Sequence, residues 1–213
     1  MMNFLNQYGG QLVQLAGEHF YIAVIALLLG IAVSVLLGIL LSRTPKIANF
    51  VLGITSVLQT IPSLALLAIM LTIFGVGKLS AIMALFVYSL LPILRNTFVG
   101  LDQVDADVID AAKGMGMTSF QSVVQVELPL AAPVIMSGIR LSAVYVVAWT
   151  TLASYIGAGG LGDLIFSGLN LYRKDLIIGG TLAVSVIALL TDYLLGKVEQ
   201  LLSDQAQRQG DAS

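Results

Sequence analysis

The stretch FYIAVIALLLGIAVSVLLGILL, residues 20–41, carries no charged side chain over its 22 positions. A helix that crosses the hydrocarbon core of a bilayer needs about 20 mostly apolar residues, so this stretch predicts a membrane span. Gly30, Ser34 and Gly38 recur within it at every fourth position, which places three small side chains on one helix face. A neighbouring helix can approach such a face closely, so the stretch also predicts a packing surface.

The composition of the whole chain of 213 residues also indicates a membrane protein. Hydrophobic residues make up 58% and charged residues 10%, whereas soluble domains average about 45–50% and about 25%. These values exclude a water-soluble enzyme and a disordered chain. We therefore predict one all-α integral membrane domain over residues 1–213, with about five transmembrane helices at residues 20–41, 47–74, 79–99, 130–153 and 176–195.

Two of these predicted spans contain a proline, Pro62 in the second and Pro92 in the third. Because proline removes one backbone hydrogen bond, we expect a kink in the second span at Pro62. Residues 1–17 are typical of a polar, partly amphipathic segment before the first span. A sixth span, in residues 1–17 or in residues 163–172, is the alternative.

The polar residues argue against several kinds of site. Ten Lys and Arg residues and twelve Asp and Glu residues give a net charge of −2, so we expect no nucleic-acid partner. The chain has no cysteine, and its single histidine, His19, cannot form a metal site alone, so we expect no metal site. We expect His19 to be a hydrogen-bonded or interfacial residue just before the first span.

The positions of the cationic residues predict the orientation in the membrane. An odd number of spans places the termini on opposite sides. With the N-terminus outside, three cations stay outside and seven lie on or near the cytoplasmic face: Arg43, Lys46, Arg95, Lys113, Arg140, Lys197 and Arg208. Because cytoplasmic segments carry an excess of Lys and Arg, we predict an outside N-terminus, a cytoplasmic C-terminus and a cytoplasmic loop at residues 101–127.

Residues 101–127 form the only long polar stretch, with six charged residues: Asp102, Asp105, Asp107, Asp110, Lys113 and Glu127. Val104, Val108 and Ala111 recur at helical spacing, which predicts a short amphipathic helix. Small alanines on such a helix allow it to lie flush in a groove of a partner protein. Pro129 ends the element before the fourth span.

The same stretch resembles the coupling motif of permease subunits from binding-protein-dependent ABC importers. That motif reads Glu-Ala-Ala, three residues, Gly, nine residues, Ile, one residue, Leu-Pro. The chain has five identities at this spacing: Ala111, Ala112, Gly116, Leu128 and Pro129. Asp110 replaces the glutamate and Val126 replaces the isoleucine, and both keep the chemistry of the residue replaced. An ordinary amphipathic cytoplasmic helix is the alternative interpretation.

The resemblance implies a type I ABC importer fold, similar to the methionine importer permease, in a bacterial plasma membrane. The short helix would dock in a cleft of an ATP-binding subunit and pass its closure on to the spans. Asp110, near the N-terminal part of the helix, would accept hydrogen bonds or pair with a cation of the partner. Ala111 and Ala112 would supply a flat contact, and Gly116 would permit the turn after the helix.

The resemblance also implies the partners and the absence of an enzyme in this chain. The partners would be ATP-binding subunits, a second permease subunit that is identical or homologous, and an extracytoplasmic solute-binding protein. No phosphate loop of the form G-x-x-x-x-G-K followed by Ser or Thr occurs, since Leu79 follows Lys78. ATP and Mg would therefore be bound by the partner ATPase subunit, and this chain would hold no cofactor.

Three further stretches resemble the branch of the family that imports quaternary-amine osmoprotectants, namely glycine betaine, carnitine and choline. They are QTIPSLALL at residues 59–67, LPILRN at residues 91–96 and IGAGGLG at residues 156–162. A permease for methionine or another small solute shares the five-span plan and is the alternative. A membrane scaffold or an intramembrane enzyme is the alternative from another class, although only Asp192 resembles an intramembrane catalytic group.

Other features of the spans suggest sites. Tyr145, Trp149 and Tyr155 could attract a quaternary ammonium through their ring faces, or could form ordinary packing and an interfacial aromatic belt. Arg140 and Asp192 lie in apolar runs, where unpaired charges are expensive, so they either pair or extend separately to the interface. The G-x-G-x-x-G pattern at residues 157–162 lacks a βαβ unit, so we interpret it as a tight outer turn near the docked binding protein.

Overall fold

The computed structural model describes residues 2–210, and every element of regular structure in this part of the chain is helical. In chain order the helices are α1 (Met2–Leu41), α2 (Pro45–Thr60), α3 (Ser63–Phe74), α4 (Lys78–Asp102), α5 (Ala106–Gly114), α6 (Ser119–Ser122), α7 (Leu128–Thr150), α8 (Gly162–Asn170) and α9 (Lys174–Gly210). A π-helical turn, Val123–Glu127, joins α6 to α7, and a 3-10 helix, Thr151–Ile156, extends α7. The predicted all-α class is confirmed.

Four uninterrupted helical stretches of the described residues are long and apolar enough to cross a bilayer: Gln7–Leu41, Lys78–Asp102, Ser119–Ile156 and Lys174–Ala206. The pair α2 and α3 qualifies as a fifth span only if the two bent helices are counted together. This agrees with about five predicted spans. Neither proposed location provides a sixth: the N-terminal residues belong to α1, and the nine residues of α8 extend only about 14 Å.

The small-residue face of α1 packs against α4, as the sequence predicts. A Cβ atom added at Gly30 would lie 1.9 Å from Ser89 Oγ, and one added at Gly38 would lie 2.5 Å from Thr97 Cγ2. Both distances are far inside van der Waals contact, so side chains at these two positions would force the helices apart. Between them, the buried Ser34 hydroxyl donates to a backbone carbonyl of α4 at 3.1 Å.

Helix α4 occupies the centre of the bundle, with α1 and α7 packed against it. Gly138 of α7 lies close to α4, since an added Cβ atom would approach Asn96 Cβ to 2.6 Å. Ser142 of α7 donates to Ser89 O at 3.0 Å. Helix α9 packs on α7, yet only 11% of its apolar stretch is buried within this chain, so most of α9 faces lipid or another protein.

The predicted kink at Pro62 is a complete break. Proline lacks an N–H and disfavours a helical residue before it, and Ile61 is accordingly extended, with φ −63° and ψ 126°. Helices α2 and α3 therefore meet at an angle of 97°. Pro92, in contrast, lies inside the continuous helix α4. It frees the carbonyl of Tyr88 one turn earlier, and Gln59 Nε2 donates to that oxygen at 3.1 Å.

Residues 101–127, predicted as a cytoplasmic loop that contains a short amphipathic helix, are largely helical. Thr118 and Gln121 form a reciprocal capping box, which starts a helix that continues through the π-helical turn into α7. The fourth span is therefore preceded by about two helical turns that the sequence interpretation assigned to the loop. Helices α1 and α9 likewise extend beyond the predicted spans at residues 20–41 and 176–195.

Candidate functional site

The short helix α5 lies at one end of the bundle, between the end of α4 and the start of α7. The Asp105 side chain caps its N-terminus by accepting from Asp107 N at 2.9 Å, and Asp107 adds negative charge in the first turn. Asp110 was expected near the N-terminal part of the helix, but it lies in the middle and accepts from Lys113 Nζ at 2.9 Å. The capping aspartate five residues earlier sets the helix start, which accounts for this difference.

The two alanines of the motif face in different directions. Ala111 is exposed, whereas Ala112 is 1% exposed and packs inside the chain. Gly116 has φ +83°, a left-handed conformation that favours glycine, and it turns the chain after α5. Met115 and Phe120 are large apolar side chains exposed beside this turn, at 71% and 76%. The sequence interpretation missed both because they occupy positions that the motif leaves free.

The remaining motif residues join α5 to the bundle. Val126 and Ala111 both line a groove of about 850 Å³ that runs between α5, the end of α4 and the start of α7. Leu128 packs against a buried apolar cluster that includes Leu101. Pro129 lies in the first turn of α7, where its missing N–H needs no helical partner. The predicted coupling residues therefore lie along the segment that runs from α5 to the first turn of α7.

Two of the three predicted aromatic residues form a cluster within the bundle. Tyr145 stacks on Trp149 with ring centroids 5.9 Å apart, and Tyr88 of α4 meets Trp149 edge-on at 4.2 Å. The Tyr88 hydroxyl donates to Ile61 O, at the break between α2 and α3. Tyr155 belongs to a different contact, edge-on against Phe166 of α8 at 4.3 Å. Tyr88 was missed because it lies on another span, and nothing in the sequence relates its position to Trp149.

Arg140 and Asp192 are brought together across α7 and α9. Arg140 Nε and Nη2 donate to the two carboxylate oxygens of Asp192 at 2.6 and 2.8 Å, and Nη1 donates to Glu199 at 3.0 Å. An added Cβ atom at Gly196 would lie 3.0 Å from Arg140 Cζ, so this glycine leaves room for the guanidinium. Glu199 was missed, although its spacing of seven residues from Asp192 places both on one face of α9.

At the opposite end of the bundle, α1 contacts the glycine-rich turn at residues 157–162. His19 is fully buried, and its Nε2 donates to Val147 O at 2.9 Å, which agrees with the expected hydrogen-bonded histidine. Glu18 accepts from Gly160 N at 3.3 Å and from Lys78 Nζ at 3.2 Å. Gly157 and two neighbouring glycines have positive φ, so the predicted tight turn is confirmed. Within the described residues no cluster of three potential metal ligands occurs.

Several apolar spans, one of them broken, with a capped helix between two of them, define a multi-pass membrane protein. Residues 26–204 match the family model described as the binding-protein-dependent transport system inner membrane component, and the chain belongs to this family. Its fold is that of the type I importer permeases. An inward-facing structure of the MetNI methionine ABC transporter matches with a TM-score of 0.82 and 22% identity, covering 92% of this chain and 98% of that one.

Two relatives are similar over nearly their whole length. The chain is 56% identical to the carnitine transport permease protein OpuCB of Listeria monocytogenes, over 98% of this chain and 96% of the relative. It is 51% identical to the glycine betaine/carnitine/choline transport system permease protein OpuCB of Bacillus subtilis, over 94% of this chain and 92% of the relative.

Proposed function

We propose that this chain is the membrane-spanning subunit of an ATP-driven importer of quaternary-amine compatible solutes. Glycine betaine, carnitine and choline are the solutes we assign to it. The observation that supports this substrate class most strongly is identity above 50%, over more than nine-tenths of the chain, to relatives named for carnitine and for glycine betaine/carnitine/choline transport. The likeness to the methionine transporter is limited to the fold, at 22% identity, and does not favour methionine as the solute.

Helix α5 is the element that docks on the ATPase subunit in this proposal. Its exposed surface consists of a small residue, Ala111, with Met115 and Phe120 beside it, and all three are open to solvent in this chain. Asp110 and Lys113 present one charge of each sign on the same surface, available for ionic contacts with the partner. Closure of two ATPase subunits, which bind ATP and Mg, would move α5 and through it α7.

A second permease subunit, identical or homologous, would cover the broken pair α2 and α3. The outward face of α2 is apolar and uncovered, with Phe50 70% and Val57 66% exposed, and Ile73 of α3 is 63% exposed. A shallow apolar depression of about 500 Å³ lies on this face of α2. The two helices are bent by 97° relative to one another, and we assign their uncovered apolar face to the second permease subunit rather than to lipid.

The aromatic cluster of Tyr88, Tyr145 and Trp149 is the place where a quaternary ammonium would be recognised on its path. Aromatic faces attract such cations, and Tyr145 remains 42% exposed, so one face of the cluster is open. Tyr88 ties this cluster to the break between α2 and α3, because its hydroxyl donates to Ile61 O. A change in the angle between α2 and α3 would therefore move Tyr88 and, through the contact between the two rings, Trp149.

The orientation we propose has the N-terminus outside and the C-terminus in the cytoplasm. Helix α5 then faces the cytoplasmic ATPase, and the glycine-rich turn at residues 157–162 faces the binding protein. The chain contains no cysteine, so single introduced cysteines report sidedness without background. A membrane-impermeant thiol reagent added to intact cells should label Leu171→Cys and leave Phe120→Cys unlabelled until the membrane is opened. The reverse pattern would contradict this orientation.

Uptake of radiolabelled solutes tests the substrate assignment. The chain would be expressed with its ATPase, second permease and binding protein in a strain that lacks its own importers. We expect uptake of at least one of glycine betaine, carnitine and choline, and no uptake of methionine. Uptake of methionine alone would contradict the substrate class while leaving the permease function intact.

A further inference from the structure

One ion pair at the α5 end of the bundle connects two turns of the chain. Arg43 lies in the turn between α1 and α2, and Glu127 is the last residue of the π-helical turn that leads into α7. Arg43 Nη2 donates to Glu127 Oε1 at 2.5 Å, across 84 positions of sequence. The pair therefore connects the segment after α5 to the turn from which the broken pair α2 and α3 begins.

The carboxylate of Glu127 is held inside the protein. Its side chain is 2% exposed, and the same oxygen accepts from Ser122 Oγ at 2.9 Å. A buried carboxylate is costly unless it is paired and hydrogen-bonded, and Arg43 and Ser122 supply the ion pair and the hydrogen bond. Position 127 is the one free position between the motif residues Val126 and Leu128, so the coupling motif itself does not account for a buried acid there.

The local backbone directs Glu127 towards Arg43. Residues Val123–Glu127 form a π-helical turn, which inserts an extra residue into a helical turn and rotates the side chains that come after it. Such turns are rare and occur frequently at functional sites. Without the extra residue, the helical segments on the two sides of the turn would differ in rotation by about 100° around the helix axis.

Two contacts of the described residues that connect α1 and its following turn to the segment from α5 to the start of α7 differ in kind. One is the apolar cluster around Leu101, in which Val35 and Ile39 of α1 pack beside Leu128 and Ile135 of α7. Apolar packing of this kind holds the helices side by side through many individually weak contacts. The other is the Arg43–Glu127 pair, which fixes both distance and direction because it is a charge-assisted hydrogen bond.

We propose that Arg43 and Glu127 form a positioning pair that transmits the movement of α5 to α1 and to the broken pair α2 and α3. The inference rests on the proposed function, because it assumes that an ATPase subunit moves α5. Helices α4 and α7 are both joined to α5 by the covalent chain. The pair adds a direct polar connection from the start of α7 to the turn between α1 and α2. Loss of the pair leaves docking and ATP hydrolysis in place and uncouples them from solute movement.

The test is the number of solute molecules imported per ATP hydrolysed, measured in proteoliposomes with the complete complex. Glu127→Gln keeps the shape of the side chain and removes its charge, so it leaves no unpaired buried acid. We expect this ratio to fall about tenfold, a typical coupling magnitude, while the ATPase subunit still co-purifies and hydrolyses ATP. Arg43→Lys, which retains one donor, should keep more than about half of the parent ratio.

The double variant Arg43→Gln with Glu127→Gln identifies the two residues as a unit. If the two residues act together, the ratio of solute imported to ATP hydrolysed in the double variant equals that of Glu127→Gln alone. A ratio well below that of Glu127→Gln would mean that the two residues act independently and would refute the pair. Arg173→Gln is the matched control, because it breaks an ion pair with Asp175 at the opposite end of the bundle and should leave the ratio unchanged.

Three outcomes overturn the proposal. An unchanged ratio of solute imported to ATP hydrolysed, in Glu127→Gln and in the double variant, shows that the pair does not transmit the movement of α5. Loss of the ATPase subunit, or of assembly, in both variants shows a purely structural role. A parent complex that hydrolyses ATP without importing any solute refutes the proposed function, and the inference with it, before any variant is made.

Discussion

The substitution Gly30→Ala tests the close contact between α1 and α4 that organises the bundle. The new Cβ atom would lie 1.9 Å from Ser89 Oγ and 2.9 Å from Ser89 Cβ, so one of the two helices must shift. Overpacking of this kind costs about 1–3 kcal/mol, and the better helix propensity of alanine returns up to about 1 kcal/mol. The expected net loss of about 1–2 kcal/mol lowers the melting temperature by roughly 2–8 °C for a chain of this size.

The assay is thermal unfolding of the purified protein in detergent, with two companion variants. Ser89→Gly removes both clashing atoms and leaves Ile93 Cδ1 as the nearest neighbour, at 3.6 Å from the new methyl group. Gly30→Ala with Ser89→Gly should therefore melt higher than the sum of the single effects predicts. Gly10→Ala is the matched control on the same helix, since nothing lies within 4 Å of its added Cβ, and it should not lower the melting temperature.

Two results would contradict a close contact between Gly30 of α1 and Ser89 of α4. One is a Gly30→Ala protein that melts with the parent. The other is a double variant whose loss equals the sum of the two single losses, because independent effects mean that the two residues do not touch.

Two further predictions concern the spans. Trp149→Ala should slow the uptake of a quaternary amine more than that of a neutral analogue, because a ring face is lost from the aromatic cluster; equal slowing of both would contradict a cation–π role. Neutralising Arg140 or Asp192 should lower the melting temperature of the protein, and exchanging the two charges should restore part of the loss, because the two side chains form a two-point pair across α7 and α9. An exchange that restores none of the loss would contradict the pairing of Arg140 with Asp192.

Local patterns in the sequence were sufficient for the class and the main packing face. The regular recurrence of Gly30, Ser34 and Gly38 predicted a packing face, because helical spacing alone determines which side chains share a face. The coupling motif was found for a similar reason, since its residues lie in one continuous segment. Features of this kind need no knowledge of which helices are neighbours.

The two prolines show where sequence patterns were insufficient. Both remove a backbone hydrogen bond, yet the chain breaks at Pro62 and continues through Pro92. The difference lies in the surroundings: α4 is packed on several sides, and Gln59 of another helix donates to the carbonyl that Pro92 frees. Such compensation depends on residues far away in sequence, so no local pattern predicts it.

The same limit applies to the candidate sites. Tyr88 and Arg43 each contact a residue from a different part of the chain, Trp149 and Glu127, and only the fold brings these partners together. Their roles depend on the positions that the fold gives them. The pairing of Arg43 with Glu127 is the extreme case, because both residues are ordinary members of polar segments in the sequence.

We propose that α5 couples an ATPase subunit to solute movement through this chain. The most direct measurement is ATP-driven uptake of labelled carnitine into proteoliposomes containing the complete complex, with the parent chain and with Ala111→Arg. Ala111 is exposed on α5, so the larger side chain leaves the fold intact and blocks the docking surface. If the ATPase subunit docks on α5, we expect uptake by the parent and loss of both uptake and ATPase association in the Ala111→Arg variant. Undiminished uptake by Ala111→Arg would contradict it.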